Sequence, residues 1–205
     1  MSDTVNSIYS SSNNIAKFSK KYFDYLNNIL NQIDNQKIQL FVKHLEKLRK
    51  NKNTIFVAGN GGSATTASTI ANDLGFDIIK KTKTKNPFRF LSLTDNNGVL
   101  SAISNDVGYE NVFINQLKIH YKKGDAILVI SASGNSENLI RAVKYVNKNK
   151  GSTLALLGFD GGKLLKLCDS SILVKTKKGE FGPVEDAHLI INHIIAHWFQ
   201  NKLNN

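Results

Sequence analysis

The chain has 205 residues, 41% of them hydrophobic, a size and composition suited to one folded domain with a buried core. No apolar run approaches the ~20 residues that cross a bilayer, which argues against a membrane-spanning protein. The net charge of +11 comes mainly from lysine, and the arginines are Arg49, Arg89 and Arg141. Because base recognition and phosphate clamping rely on arginine, the charge favours a solvated surface over nucleic-acid binding.

Two further features bear on where the protein works. The first 14 residues are polar and lack the apolar segment of a secretory signal. The single cysteine, Cys168, cannot form an internal disulfide. We therefore expect a cytoplasmic protein without a membrane partner.

Helices and strands alternate along the chain after an N-terminal helical region. Residues 1–14 are rich in Ser and Asn, and we expect them to be frayed. Apolar residues at helical spacing predict two helices with wide apolar faces, at residues 15–30 and 35–51. Apolar runs predict strands at residues 54–58, 88–93, 126–130, 153–157 and 171–174. Helical spacing between and after them predicts helices at residues 64–74, 99–105, 111–121, 137–149 and 184–203.

This alternation predicts an α/β fold in which helices cover both faces of a parallel sheet. Ligands in such sheets bind at the carboxyl ends of the strands, near the point where the strand order reverses. Candidate binding residues are therefore sought in the loops that follow strands.

The first such loop reads Gly59-Asn60-Gly61-Gly62-Ser63 and leads directly into a predicted helix. Glycines let a ligand approach backbone N–H groups, and the dipole of the following helix favours an anion, most often phosphate. A tight turn without a ligand is the alternative. The residues Gly59, Gly61 and Ala64 also fit the dinucleotide fingerprint, which requires an acid at the end of the second strand about 20 residues later. The nearest strand-end acid, Asp95, is too far downstream.

A second loop repeats this plan after the strand at residues 126–130, reading Ser131-Ala132-Ser133-Gly134-Asn135-Ser136. Its three hydroxyls stand at the start of a helix, and each can donate to a phosphate oxygen. The alternative is an ordinary serine-rich helix cap. Two such loops at strand ends of one sheet favour a phosphorylated ligand.

With these loops, the segments Ser104-Asn105-Asp106 and Gly158-Phe159-Asp160-Gly161-Gly162 complete a pattern that resembles sugar isomerase (SIS) domains. The chain is most similar in pattern to the phosphoheptose isomerase group. The resemblance implies a three-layer αβα sandwich with a five-stranded parallel sheet and an N-terminal helical pair. It also implies a homotetramer with active sites between subunits. Residues 1–205 would form one SIS domain, with residues 1–51 used in oligomerisation and residues 52–205 forming the sheet core and C-terminal helix.

The same resemblance implies the reaction and the residues that carry it. The reaction would interconvert sedoheptulose 7-phosphate and a heptose 7-phosphate, for surface-polysaccharide precursor synthesis. The catalytic pair would be Asp73 and His193. Substrate contacts would come from the two loops, the 104–106 segment and the last helix, namely Asn60, Gly61, Gly62, Ser63, Asn105, Asp106, Ser131, Ala132, Ser133, Ser136 and Glu185.

Many enzymes of this group also bind zinc, and here the chain departs from their pattern. Thr69 stands where a His ligand is usual, Glu185 replaces a Gln, and Asp73 replaces a Glu. One interpretation is a rearranged metal site of Asp73, Glu185 and His193. Another is a metal-free acid/base site. A third is a non-catalytic SIS protein that binds a sugar phosphate as a sensor or regulates a protein partner.

The remaining histidines and the cysteine receive simpler interpretations. His188 is the substitute acid/base if the pocket tilts away from His193, whereas His197 is expected to be a surface or subunit-contact residue. His44 and His120 stand among lysines and are expected to be exposed. Cys168 is expected to be a small buried residue.

Overall fold

The structure, a computed structural model, describes residues 4–204. An N-terminal helical region comes first, with α1 (Thr4–Ser10), α2 (Ile15–Asn31) and α3 (Asn35–Lys50). The first half of the sheet unit follows, with β1 (Thr54–Gly59), α4 (Gly62–Ala71), a π-helix (Asn72–Phe76), α5 (Asp77–Lys81) and β2 (Arg89–Ser92). Next come α6 (Asn97–Val107), a 3-10 turn (Tyr109–Asn111), α7 (Val112–His120), β3 (Ala126–Ser131), α8 (Glu137–Lys148), β4 (Ser152–Gly158), α9 (Leu164–Leu167), β5 (Ser170–Val174) and α10 (Phe181–Lys202).

The five strands form one parallel sheet in the order β2-β1-β3-β4-β5. Alternate residues of β1 enter different layers, as the two-residue period of a strand requires. Ile55 and Val57 join the core that α2, α3, α4 and α10 cover. Phe56 and Ala58 join the core that α7 and α8 cover. The expected three-layer αβα sandwich is thus confirmed.

The strand order reverses between β1 and β3, which lie side by side with Gly59 opposite Ile130. Both glycine- or serine-rich loops leave the sheet at this point, at the carboxyl ends of neighbouring strands. A Cβ on Gly59 would lie 2.6 Å from the carbonyl carbon of Ser63, so the tight turn into α4 requires glycine there. The fold therefore brings together two helix N-termini that are far apart in sequence.

The N-terminal segment is more ordered than expected. Residues 1–3 lie outside the described residues, but Thr4–Ser10 forms α1 where fraying was predicted. The N–H of Thr4 donates to Glu180 at 2.6 Å, and the ring centroids of Tyr9 and Phe18 lie 6.2 Å apart. The prediction was wrong because these contacts come from distant or neighbouring elements and not from local composition.

The helical pair α2 and α3 serves the core and also leaves apolar residues in solvent. Ile29, Phe41 and Leu45 are buried against the sheet, whereas Phe23 and Leu40 are exposed. The assignment of residues 1–51 to oligomerisation stays a prediction. Among residues 4–204, no helix has the length and apolarity needed to cross a membrane.

Candidate active site

A cavity of about 120 Å³ lies where the two loops meet the start of α10. Most of its wall consists of residues that the sequence predicted to bind substrate. The lining residues are Asn60, Ser63, Ile130, Ser131, Ala132, Ser133, Ser136, Phe181 and Glu185. Ile130 and Phe181 were not predicted, since an apolar strand residue and an aromatic helix start carry no signal of ligand binding.

The first loop leaves the N-terminus of α4 open to this cavity. Gly61 is the N-cap residue, with φ 55° and ψ −126°, and it has no side chain to cap the helix. Ser63 lies inside the first turn of α4 and is only 5% exposed. The N–H groups of Ser63 and Ala64 donate to the carbonyls of Asn60 and Gly61, at 3.0 and 2.9 Å, so the helix dipole and the N–H groups ahead of Ser63 favour an anion in the cavity.

Two side chains, one from α8 and one from the 3-10 turn, fix Asn60 within the first loop. Its carboxamide exchanges two hydrogen bonds with that of Asn138 on α8, at 3.0 and 2.9 Å. The hydroxyl of Tyr109 also donates to Asn60 Oδ1, at 2.8 Å. Sequence reasoning missed Asn138 and Tyr109, because their partner is 78 and 49 residues away, respectively.

The second loop is closed by hydrogen bonds that Ser131 and Ser133 accept, which leaves the protons of its hydroxyls available to a ligand. Ser131 Oγ accepts from the N–H of Gly134 at 3.0 Å, which closes the turn. Gly134 has φ 61°, and a Cβ there would lie 2.5 Å from the carbonyl carbon of Gly161, so glycine is required. Ser136 is the N-cap residue of α8, yet its side chain makes no capping hydrogen bond. Its hydroxyl is therefore free to bind a ligand.

Glu185 brings a carboxylate to the same place. A Cβ on Gly62 would lie 2.6 Å from Glu185 Oε1, so this carboxylate rests on the glycine at the start of α4. Burial and the neighbouring charge of Asp186 raise the pKa of Glu185 above its ordinary value. A negative group thus occupies part of the anion-favouring cavity.

The predicted catalytic pair is brought together at a second position along α10. Nε2 of His193 lies 3.6 Å from Oδ2 of Asp73. Asp73 belongs to the π-helix that extends α4, and such turns are frequent at functional sites. The side chain of His193 is 52% exposed and that of Asp73 is 15% exposed, so the pair opens to solvent on one side.

Glu185 and His193 lie at different positions along α10. Glu185 lines the cavity, whereas neither His193 nor Asp73 does. Eight residues of α-helix place Glu185 and His193 about 12 Å apart along the axis of α10. The candidate site therefore has two parts, an anion cavity at the carboxyl ends of the strands and an acid/base pair further along, on the π-helix that extends α4 and on α10.

Other predicted residues lie outside both parts. Asn105 and Asp106 are exposed at the end of α6, where the amide of Asn105 donates to Asp106 at 2.9 Å. His188 is fully buried among the core residues of α10, and burial lowers its pKa to about 4. The idea of His188 as a substitute acid/base is wrong, because no substrate reaches it.

The residues present do not fit a zinc site within one chain. Among residues 4–204, no group of three or more His, Cys, Asp or Glu side chains is placed to hold a metal ion. The hydroxyl of Thr69 donates to the carbonyl of Thr65 at 3.0 Å. With Glu185 in the cavity, Asp73 and His193 supply only two donors at their position.

The other histidines and Cys168 belong to neither part of the site. His120 and His197 are exposed, as expected. His44 was expected in solvent but is half-buried, and burial lowers its pKa. Cys168 is partly buried rather than fully buried, and burial raises the pKa of its thiol to about 12.

Similarity to known proteins agrees with this geometry. A family model described as SIS domain matches residues 21–158. The phosphoheptose isomerase of a Nitratiruptor species is 37% identical over 147 residues, which cover 72% of this chain and 76% of that protein. That of Aneurinibacillus thermoaerophilus is 37% identical over 159 residues, 77% of each chain.

A solved structure shows the same fold. The phosphoheptose isomerase of Neisseria gonorrhoeae superposes with a TM-score of 0.80 at 24% identity, over 92% of this chain and 100% of that chain. That structure shares the fold of this chain, and the family model and the relatives of higher identity show its family. The chain belongs to the SIS domain family, in its phosphoheptose isomerase group.

Proposed function

We propose that this protein is an aldose–ketose isomerase that interconverts sedoheptulose 7-phosphate and a heptose 7-phosphate, in the cytoplasm, for surface-polysaccharide precursors. The observation that carries the proposal is the pairing of an anion cavity with an acid/base pair along one helix. Relatives at 37% identity are named phosphoheptose isomerases, which supports the same reaction here. The alternative of a non-catalytic sensor gains no support from these relatives.

The phosphate group would occupy the cavity between the loops. The N-termini of α4 and α8 each present about half a positive charge to an anion bound there. The hydroxyls of Ser63, Ser133 and Ser136 add neutral donors. Among the described residues, no lysine or arginine lines this cavity, so backbone N–H groups and hydroxyls would carry the binding.

The length of the substrate is comparable with the axial separation of Glu185 and His193. A seven-carbon chain has six C–C bonds of about 1.5 Å, so its extended length is roughly 8 Å before the phosphate is added. Glu185 and His193 are about 12 Å apart along α10. With the phosphate in the cavity, carbons 1 and 2 would extend along α10 toward Asp73 and His193.

The chemistry proposed at that position is a proton transfer through an enediol. One member of the pair removes a proton from carbon 1 of the ketose, and the C2 carbonyl oxygen takes up a proton to give the enediol. A proton then returns to carbon 2 while the C1 hydroxyl loses its own, which gives the aldose. A carboxylate such as Asp73 suits transfer at carbon, and an imidazole such as His193 suits transfer between the oxygens.

We further propose a homotetramer in which active sites lie between subunits. Phe23 and Leu40 are exposed on the N-terminal helices, and Ile194 and Trp198 are exposed beside His193 on α10. Large apolar side chains in solvent are suited to burial by another subunit. Light scattering should give a mass of about four chains at micromolar concentration. A monomer would contradict this assembly.

The direct test of the function is an isomerase assay against C5 to C7 sugar phosphates, with and without added zinc. We expect turnover of the C7 ketose phosphate to exceed that of shorter substrates, because only the longer chain spans both parts of the site. Binding of sugar phosphates without any turnover would favour the sensor. A requirement for zinc would show that a metal centre is completed by groups beyond those of one chain.

A further inference from the structure

An unexpected polar residue lies beneath the Asp73–His193 pair. Asn192 is on the buried face of α10 and is 2% exposed. Its neighbours on that face include Ile191, Ile195 and Phe199, all buried and apolar. An amide in such a place is unfavourable unless its hydrogen bonds are satisfied. The buried Asn192 therefore needs a specific explanation.

Its one hydrogen bond among the described residues is to Asp73. The amide nitrogen of Asn192 donates to Asp73 Oδ2 at 2.7 Å, across 119 residues of sequence. The amide oxygen of Asn192 is buried and has no partner within residues 4–204. Rotating the amide by half a turn would aim this oxygen at the carboxylate, so Asp73 determines the orientation of the amide.

The accepting oxygen is also the one that meets His193. Oδ2 of Asp73 is 3.6 Å from Nε2 of His193 and 2.7 Å from the Asn192 amide. The other oxygen, Oδ1, accepts from Asn72 at 3.1 Å. Asn192 and His193 are consecutive on α10, so one helix turn holds both groups that face Oδ2. The carboxylate is thus fixed in plane and direction relative to the imidazole.

We infer that Asn192 is a positioning residue that acts through Asp73, an inference that rests on the proposed isomerase function. By holding Oδ2 in place, Asn192 keeps the carboxylate aimed at the substrate carbons beside His193. A charge-assisted hydrogen bond from a rigid helix suits this role, because it fixes geometry before substrate arrives. Asn192 itself touches no substrate atom.

The test is Asn192→Leu, which keeps a side chain branched at Cγ and removes the donor. We expect kcat to fall roughly tenfold or more, the usual scale for losing a hydrogen bond to a charged group, with KM changed less than threefold. In Asp73→Asn, adding Asn192→Leu should cause no further loss of kcat, because the partner of the amide has already been changed. Asn192→Asp, of the same shape, should lower kcat at least as much by placing a second carboxylate beside Asp73.

The matched control is Gln116→Leu on α7, in the opposite layer. Gln116 is a buried amide that donates to the carbonyls of Leu93 and Val112, both at 3.0 Å. The Gln116→Leu variant should have a lower midpoint of thermal unfolding than wild type and an unchanged kcat per folded protein. Wild-type kcat in Asn192→Leu, or equal losses with and without Asp73→Asn, would overturn the inference while the isomerase function stands. A wild type without turnover would overturn both.

Discussion

The carboxylate of Glu185 should weaken phosphate binding, and removing its charge should strengthen it. Glu185 and the serine hydroxyls line one cavity of about 120 Å³, whose diameter as a sphere is about 6 Å. At about 6 Å, a unit charge and a phosphate dianion repel by about 1.4 kcal/mol at a dielectric constant of 80 and about 5.5 kcal/mol at 20. The cavity opens to water, so we expect a value near the lower limit.

The perturbation is Glu185→Gln, which keeps the shape of the side chain. Isothermal calorimetry at pH 8 with a C7 sugar phosphate should show a Kd about tenfold lower than that of wild type. This factor corresponds to the loss of about 1.4 kcal/mol of repulsion. The gain should shrink at 1 M salt, where the screening length is about 3 Å. Measurement in 0.05 M and 1 M salt separates the charge effect from a change in shape.

The control is Asp186→Asn, on the next residue of α10. Its carboxylate accepts from the hydroxyl of Tyr22 at 2.6 Å and lies outside the cavity. The affinity of this variant should change less than about threefold, because water screens the more distant charge. An unchanged or weaker affinity in Glu185→Gln would refute the reasoning, since the carboxylate would then not face the phosphate.

Three further predictions concern the second loop and the interior of α10. Changing Ser131 and Ser133 to Ala together should weaken sugar-phosphate binding by about 2–3 kcal/mol in calorimetry, and unchanged affinity would remove them from the phosphate site. Gly134→Ala should lower the unfolding free energy by about 2 kcal/mol or more in urea titrations, because φ 61° and the nearby Gly161 backbone exclude a Cβ; wild-type stability would contradict this. His188 has a native pKa of about 4 against about 6.5 when unfolded, so its contribution to stability is complete above pH 6.5 and is lost as pH falls to 4. The loss is about 3 kcal/mol, and a His188→Leu variant with the same acid sensitivity as wild type would contradict it.

The sheet and its two loops were predictable because they depend on local pattern. Five apolar runs with helical segments between them identify a parallel sheet, and loop composition identifies both helix N-termini. Of the predicted contacts, Asn60, Ser63, Ser136 and others do meet in one cavity. The roles of these residues stay predictions until binding is measured.

The sequence could not predict contacts that depend on the packing of elements distant in the chain. The π-helix at Asn72–Phe76 has no composition signal, yet it places Asp73 beside α10. The bond from Asn192 to Asp73 joins positions 119 residues apart, and periodicity alone would assign Asn192 to the core as an odd polar residue. The exposure of Asn105 could likewise not be predicted, because tertiary contacts determine where α6 ends.

The measurement that tests the central claim most directly is turnover of sedoheptulose 7-phosphate by wild type and by His193→Asn. The account predicts wild-type turnover, a loss of about 10² or more in kcat for the variant, and nearly unchanged binding, because the serine loops are untouched. His197→Asn, an exposed residue one turn further along α10, is the matched control and should keep full activity. Wild-type activity with no loss in His193→Asn, or no wild-type turnover at all, would contradict the account.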